Sequence, residues 1–420
     1  MHLLTGAALL FASRTASAGD DEPIIAKLPR VRLSGFTQVD WVAMNQNSQE
    51  ELDVRGQPQN QERFVLRRAR LRADVDRGIV SGALELDANT VSGPQVRPIT
   101  AEVTARWPVK RGGPFDFAVS MGLIQTPFGA EVQELDYVRP FLERSAVSNA
   151  FFPGVYDLGL RFRGRYRFLH YALGLMNGDP IGERSFPGRD PNRSKDLVFR
   201  VGVKTDVTRR IDLDVGFSGL SGSGFHAGTP TTKDQLVWRD TNEDGVVDTT
   251  EIQVIPGTSA TPSQTFRRFG VGADLKVRIN VGRLGHLTLR GEIMRGNNLD
   301  RGLFIADPVS TGHDLRETGY YVGLSQEVTR FGLLGVRYDR YDPDSDASEQ
   351  QGLTLVPRDR SVSTFAMLAG LRLPNEHSPL SAGRLLFEYD RNYNALGRGT
   401  NGVPTTLASD TAILRAEITY

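Results

Sequence analysis

Apolar and polar residues alternate along most of this chain with a period of two. The clearest stretch is Arg63 to Asp76, RFVLRRARLRADVD. One set of alternate positions holds Arg68, Arg70, Arg72, Asp74 and Asp76; the other holds Val65, Arg67, Ala69, Leu71, Ala73 and Val75. A β-strand sends successive side chains to opposite faces. Read as a strand, the segment has one wet, basic face and one greasy face. On a helix the same residues would scatter charge all round and leave no apolar stripe to bury. The alternation recurs in 31–43, 80–88, 99–107, 115–123, 158–164, 168–176, 197–207, 211–219, 268–280, 287–294, 318–327, 333–341, 364–373, 385–392 and 411–420, which with 64–76 makes sixteen candidate strands.

The connections are unequal in a regular way. Joins at 76–78, 108–114, 165–168, 208–210, 282–285 and 329–332 are short, whereas 45–62, 125–156, 177–195, 220–266, 295–316, 342–360 and 393–409 are long and polar. Two joins soften the rule: 89–98 is only moderate, and 374–383 is longer than a turn. Short turns alternating with long loops are the mark of an outer-membrane barrel, short at the periplasmic end and long outside the cell. A soluble sandwich has no reason to keep its long loops at one end. The apolar stripes also carry aromatics near strand ends, including Trp107, Phe115, Phe117, Tyr166, Phe168, Tyr320, Tyr338 and Tyr389. Such rings favour the lipid–water boundary. The last strand closes the chain on Tyr420, an outward-facing aromatic. The expected fold is therefore all-β: a 16-stranded antiparallel transmembrane β-barrel over 31–420, in the bacterial outer membrane. Sixteen strands leave an aqueous lumen.

Composition narrows the function classes. Acidic and basic residues number 50 each, so no bulk charge points to nucleic acid. The basic residues are nearly all arginine, with lysine only at 27, 110, 195, 204, 233 and 276. Cysteine is absent, which suits an oxidising compartment. Residues 3–12, LLTGAALLFA, followed by Ala16-Ser17-Ala18, read as an export signal over 1–18, with 19–30 as a periplasmic segment. The six histidines are scattered without metal spacing, and neither a G-x-S-x-G elbow nor a phosphate loop occurs, so an enzyme is not expected.

Function is expected to reside in the lumen. Arg161, Arg163 and Arg165 form a second inward triplet beside Arg68, Arg70 and Arg72. Guanidinium ladders replace the water an anion loses on entering a pore. The inward face also carries Glu85, Asp87, Glu102, Asp212, Asp214, Asp274, Glu292, Glu388 and Asp390. Arginines facing carboxylates would make a general, weakly selective porin. A third reading is a plugged structural or adhesive barrel.

Three segments, FVLRRARLRADVD (64–76), MGLIQTPFGAE (121–131) and FLERSAVSNAFFPGVYDLGLRFRG (141–164), together resemble the phosphate-selective porin O and P family. The resemblance covers the N-terminal half of the barrel. It implies a homotrimer embedded in outer-membrane lipid and lipopolysaccharide. It also implies that the third long loop, Gln125 to Tyr156, folds into the lumen, with Arg139, Glu143 and Arg144 at the constriction. Passage of small anions, phosphate or pyrophosphate among them, along the two arginine triplets is what it implies for function. The family's lysine-rich constriction has no counterpart, and Gln125 stands where a basic residue often does.

One motif lies apart, in the long loop 220–266. Asp240, Asn242, Asp244, Gly245, Val246, Asp248 and Glu251 fit the twelve-residue calcium pattern D-x-[DN]-x-[DN]-G-x₅-E without a gap. Oxygen ligands at positions 1, 3, 5, 7 (a carbonyl), 9 and 12, with glycine at 6, suit Ca²⁺. A structural ion that stiffens the exposed loop is the expectation.

Overall fold

The computed structural model describes residues 30–46, 62–91, 93–107, 115–180, 190–351, 353–373, 382–398, 404–407 and 409–420. The export signal and nearly all of the N-terminal segment, together with the turn at 108–114, lie outside them. Sixteen strands form a closed barrel in chain order: β1 (Arg30–Gln46), β2 (Glu62–Arg77), β3 (Val80–Asn89), β4 (Gln95–Trp107), β5 (Phe115–Gln125), β6 (Tyr156–Tyr166), β7 (Leu169–Met176), β8 (Asp196–Thr208), β9 (Ile211–His226), β10 (Gln264–Asn280), β11 (His286–Asn297), β12 (Arg316–Val328), β13 (Gly332–Asp342), β14 (Val362–Leu373), β15 (Gly383–Asn394) and β16 (Ser409–Thr419). Every neighbouring pair is antiparallel, and β1 closes on β16 from Phe36–Thr419 to Gln46–Ser409. Closure leaves no open sheet edge, which a lipid setting requires.

The outer wall is apolar. Leu33, Val103, Met121, Ile293, Leu371 and Ile418 are all more than half exposed on it. A continuous surface of this kind would aggregate in water; facing lipid, it is the stable arrangement. Exposed rings of Trp107, Phe115, Tyr166, Phe168, Phe331 and Tyr420 cluster at the short-turn end. Arg167 lies over the Tyr166 ring at 5.5 Å and Arg330 over Phe331 at 4.8 Å, the pairing of a charge that reaches toward headgroups. The chain is a transmembrane barrel of the outer-membrane type.

Three bulges interrupt the simple alternation among the described residues; one, at Val207, sits beside the β8–β9 turn, and the other two move side chains across the wall. Gln38 pairs with Arg68 while the next residue, Val39, pairs with Leu66, so Arg67 is an extra residue in β2. Glu85 likewise pairs with Thr100 and Leu86 with Pro98, leaving Ile99 extra in β4. A bulge shifts strand parity by one. Val65 and Ile99, expected on the lipid face, are consequently buried on the inside, and Arg67 also points into the lumen.

The lumen is not wet throughout. Ile124 of β5 and Phe128, Val132, Val147, Phe151 and Phe152 of the third loop pack with inward-facing Met176, Val198, Leu220, Met294 and Tyr341 in a dry core inside the barrel. A second cluster joins Phe141 and Leu142 to Leu333, Ala366, Leu368 and Leu386. The wall beneath is pared down to let the loop approach. A Cβ on Gly319 of β12 would sit 2.7 Å from Val147, and one on Gly335 of β13 would sit 3.2 Å from Phe141.

Candidate functional site: a loop-narrowed lumen

The loop between β5 and β6 enters the barrel and crosses to the far wall, as expected for 125–156. Its backbone is held by side chains from strands around the circumference. Ser218 of β9 accepts from Gly129 N–H at 3.0 Å, and Glu292 of β11 accepts from Ala130 and Glu131 N–H at 2.5 and 2.6 Å. Asp339 of β13 accepts from Ala146 N–H, and Glu388 of β15 from Leu142 N–H at 2.8 Å. In the other direction Arg337 donates to the Glu143 carbonyl, Arg384 to that of Arg139 and Arg415 to that of Leu142. Buried backbone groups need such partners, and here the wall supplies them to an irregular loop. The short helix Ala146–Phe151 is the loop's only regular turn.

Glu143 is the hub. Its carboxylate meets Arg67 of β2 at 2.9 Å, Arg68 of β2 at 3.0 Å and Arg415 of β16 at 2.9 Å. Burial alone would raise its pKa; Arg68, Arg67 and Arg415 more than offset that and hold it well below the usual carboxylate range. Asp136 is treated the same way, with burial opposed by Arg68, Arg70 and Arg139, and it too is held low. Among the described residues Arg144 has no carboxylate within ion-pair distance; it donates to the carbonyls of Phe152 and Pro153, and burial next to Arg139 brings its pKa down to about 10.

The two arginine triplets both face the lumen, but in different states. Arg68 pairs with Glu143 and Asp136, Arg70 with Asp136 at 2.8 Å and Asp87 at 3.3 Å, and Arg72 with Asp74 at 3.0 Å and Glu85 at 3.1 Å. In the second triplet Arg161 pairs with Glu102 at 3.1 Å. Arg163 and Arg165 have no hydrogen bond or ion pair among the described residues. Arg139, expected at the constriction, is 1% exposed and pairs with Asp136; it braces the loop more than it faces the path.

Three cavities run down the side of the lumen that the loop leaves open. The outermost, about 730 Å³, is lined by Arg67, Arg68, Arg70, Arg97, Arg144 and the loop. The middle one, about 520 Å³, adds Arg72, Arg161 and Arg163. The lowest, about 610 Å³, is lined by Arg106, Arg161, Arg163, Arg165 and Arg200 with Asp116 as its one carboxylate. Arg70, Gln125, Leu135 and Tyr156 belong to the walls of both upper cavities; Gln125, Arg161 and Arg163 belong to both lower ones. Gln125 borders all three, its side chain tied to the Val132 carbonyl at 3.0 Å. Arg97, Arg106 and Arg200 escaped the sequence reading: Arg106 and Arg200 fall on the polar parity but are isolated within their strands, and Arg97 shares the apolar parity of Val103 and Trp107 and reaches the lumen only through the bulge at Ile99. Arg67 left one trace: two adjacent arginines in a strand cannot both be wet without a bulge.

No protein-family model matches this chain, and no curated protein matches it in sequence. Solved structures do match it in shape. DcaP, an outer membrane channel of Acinetobacter baumannii, superposes with a TM-score of 0.53 at 13% identity, covering 93% of this chain and 97% of that one. OprB of Pseudomonas putida gives 0.52 at 10% identity, covering 93% and 94%. In-vitro folded OmpT of Vibrio cholerae, in its trimer form, gives 0.51 at 8% identity, covering 94% and 100%. These likenesses show a shared fold, a closed barrel of the outer-membrane type.

The calcium-pattern loop sits between two short strands, Gln235–Trp238 and Ile252–Ile255, which pair as a hairpin outside the barrel. Gly245 has the positive φ, 72°, that the pattern asks of it. The acidic side chains are turned to backbone groups of the loop itself. Asp240 accepts from Asp244 and Gly245 N–H, Asn242 from Asp244 N–H, Asp244 from Val246 N–H and Asp248 from Thr250 N–H. Glu251 accepts from Thr241 and Asn242 N–H and from the Trp238 indole. Among the described residues no group of three or more histidine or acidic side chains is placed to hold a metal together.

Proposed function

We propose that this protein is a porin through which small anions cross the outer membrane by passive diffusion along the β2–β6–β8 side of the lumen. One observation carries the reading: Arg163 and Arg165 stand without carboxylate partners in a run of cavities that share walls. Guanidiniums outside any ion pair among the described residues offer an anion donors in exchange for water, with Asp116 as the one carboxylate in the lowest cavity. The porin-like shape supports a channel. Selectivity for phosphate or pyrophosphate, implied by the sequence resemblance, finds less support, because carboxylates already match the β2 triplet. A homotrimer set in lipid and lipopolysaccharide is the assembly we propose with it; the OmpT structure is described as a trimer form.

Reconstitution in planar bilayers tests the proposal. Steady ohmic channels with a reversal potential favouring chloride over potassium are expected. Electrical silence would instead support the plugged barrel, and cation preference would overturn the anion reading. We also propose that the 240–251 loop takes Ca²⁺, with Glu251 exchanging Thr241 and Trp238 for the ion. Calcium should then protect the loop from proteolysis in the wild type and not in Glu251→Gln; equal cleavage with and without calcium rules this out.

A further inference from the structure

The walls of the middle cavity join a charged half to an apolar one that includes aromatic rings. On the apolar side Phe36 is buried behind Tyr137, with ring centroids 5.1 Å apart, and Leu135 of the loop is 42% exposed toward the lumen. Tyr156 completes this side, and neither the Tyr137 nor the Tyr156 hydroxyl has a hydrogen-bond partner among the described residues. On the charged side the carboxylates are already spent. Glu85 is matched by Arg72 and Glu102 by Arg161, both at 3.1 Å, which leaves Arg163 unmatched.

Resting on the anion-porin reading, we propose that this cavity is a transit site for aromatic monocarboxylates. A single unmatched guanidinium suits one carboxylate, and a planar ring suits the face made by Leu135, Tyr137 and Tyr156. The 520 Å³ volume lies within the range of about 300–1,000 Å³ typical of small-molecule sites. Phosphate fits the site poorly on chemical grounds. It carries more than one charge and no apolar face, so it would lose water against Leu135 and the rings and gain nothing in return. Acetate would gain the guanidinium contact but not the aromatic one.

The test measures block of chloride current through the wild-type channel by benzoate, acetate and inorganic phosphate. Benzoate is expected to block at roughly tenfold lower concentration than either, equivalent to about 1.4 kcal/mol. In Tyr137→Leu/Tyr156→Leu the benzoate and acetate values should converge, and in Arg163→Gln both should weaken together. Calorimetric titration of the detergent-purified protein with benzoate gives a second readout that needs no current. Equal block by benzoate and acetate in the wild type overturns the proposal, as does stronger block by phosphate. The wild-type ratio decides the matter even if a variant fails to assemble. The reversal potential in potassium chloride alone, measured without benzoate, reports separately on the anion-porin reading.

Discussion

The triplets on β2 and β6 share residue type, spacing and direction, yet they do different work. On β2 every guanidinium is matched by carboxylates from the third loop, from β3 or from its own strand. On β6 only the first is matched, and the lower two open onto the cavity. A buried arginine with two carboxylates is a clamp; an unpaired arginine in a wet lumen is a ligand. Residue type and periodicity are the same in both; apart from Asp74, which pairs with Arg72 within β2, the distinction lies in what approaches from elsewhere in the chain. The loop approaches β2 and leaves β6 free.

The largest effect should come from breaking the clamp. Glu143→Gln removes the loop charge that Arg67, Arg68 and Arg415 share and leaves only Arg68 an ion pair with the loop, to Asp136, at a cost of about 2–4 kcal/mol, moderated because Glu143 keeps some solvent contact. A lower thermal unfolding midpoint and protease cleavage within 125–156 should follow. If the midpoint stays unchanged, Glu143 is not the anchor. Neutralising the triplets separately sharpens the comparison. Arg163→Gln/Arg165→Gln should lower the chloride-to-potassium permeability ratio roughly fivefold, at about 0.5 kcal/mol for each partly screened charge, with little change in stability. Arg68→Gln/Arg70→Gln/Arg72→Gln should do the reverse, a smaller shift in selectivity and a larger loss of stability. Equal selectivity shifts in the two variants would erase the difference between triplets.

The smallest effect concerns pH. The folded-state pKa values of Glu143 and Asp136 are lowered, so their contribution to stability is complete above the unfolded carboxylate value near 4. It is lost only as pH falls through the lower folded values. Channel conductance and the unfolding midpoint should hold level from pH 7 to 5 and decline only in stronger acid. A drop in conductance between pH 7 and 5 would mean that the wall carboxylates on the loop backbone, Glu292, Asp339 and Glu388, govern the bore more than Glu143 and Asp136 do.

Much of the barrel was legible from alternation alone, because each strand repeats its own two-residue rhythm whatever lies beside it. Sixteen strands, their order and the ends at which the long loops gather all emerge from that local signal, as does the entry of 125–156 through its resemblance. Two kinds of feature were not legible. The bulges at Arg67 and Ile99 depend on pairing with β1 and β3, so parity counted along one strand misassigns Val65, Arg67 and Ile99. The state of each arginine depends on partners as distant as Glu143 from Arg68 or Asp40 from Arg415. Composition reports that acids and bases balance; only the fold reports which are left over.

Arg415 stands on the last strand, bonded at once to Asp40 of the first and to Glu143 of the inserted loop. The seam of the cylinder and the seat of its internal constriction are therefore the same cluster of atoms. Without β16, Glu143 would lack one of the three guanidiniums that meet it. Closing the last strand onto the first thus also sets the bore.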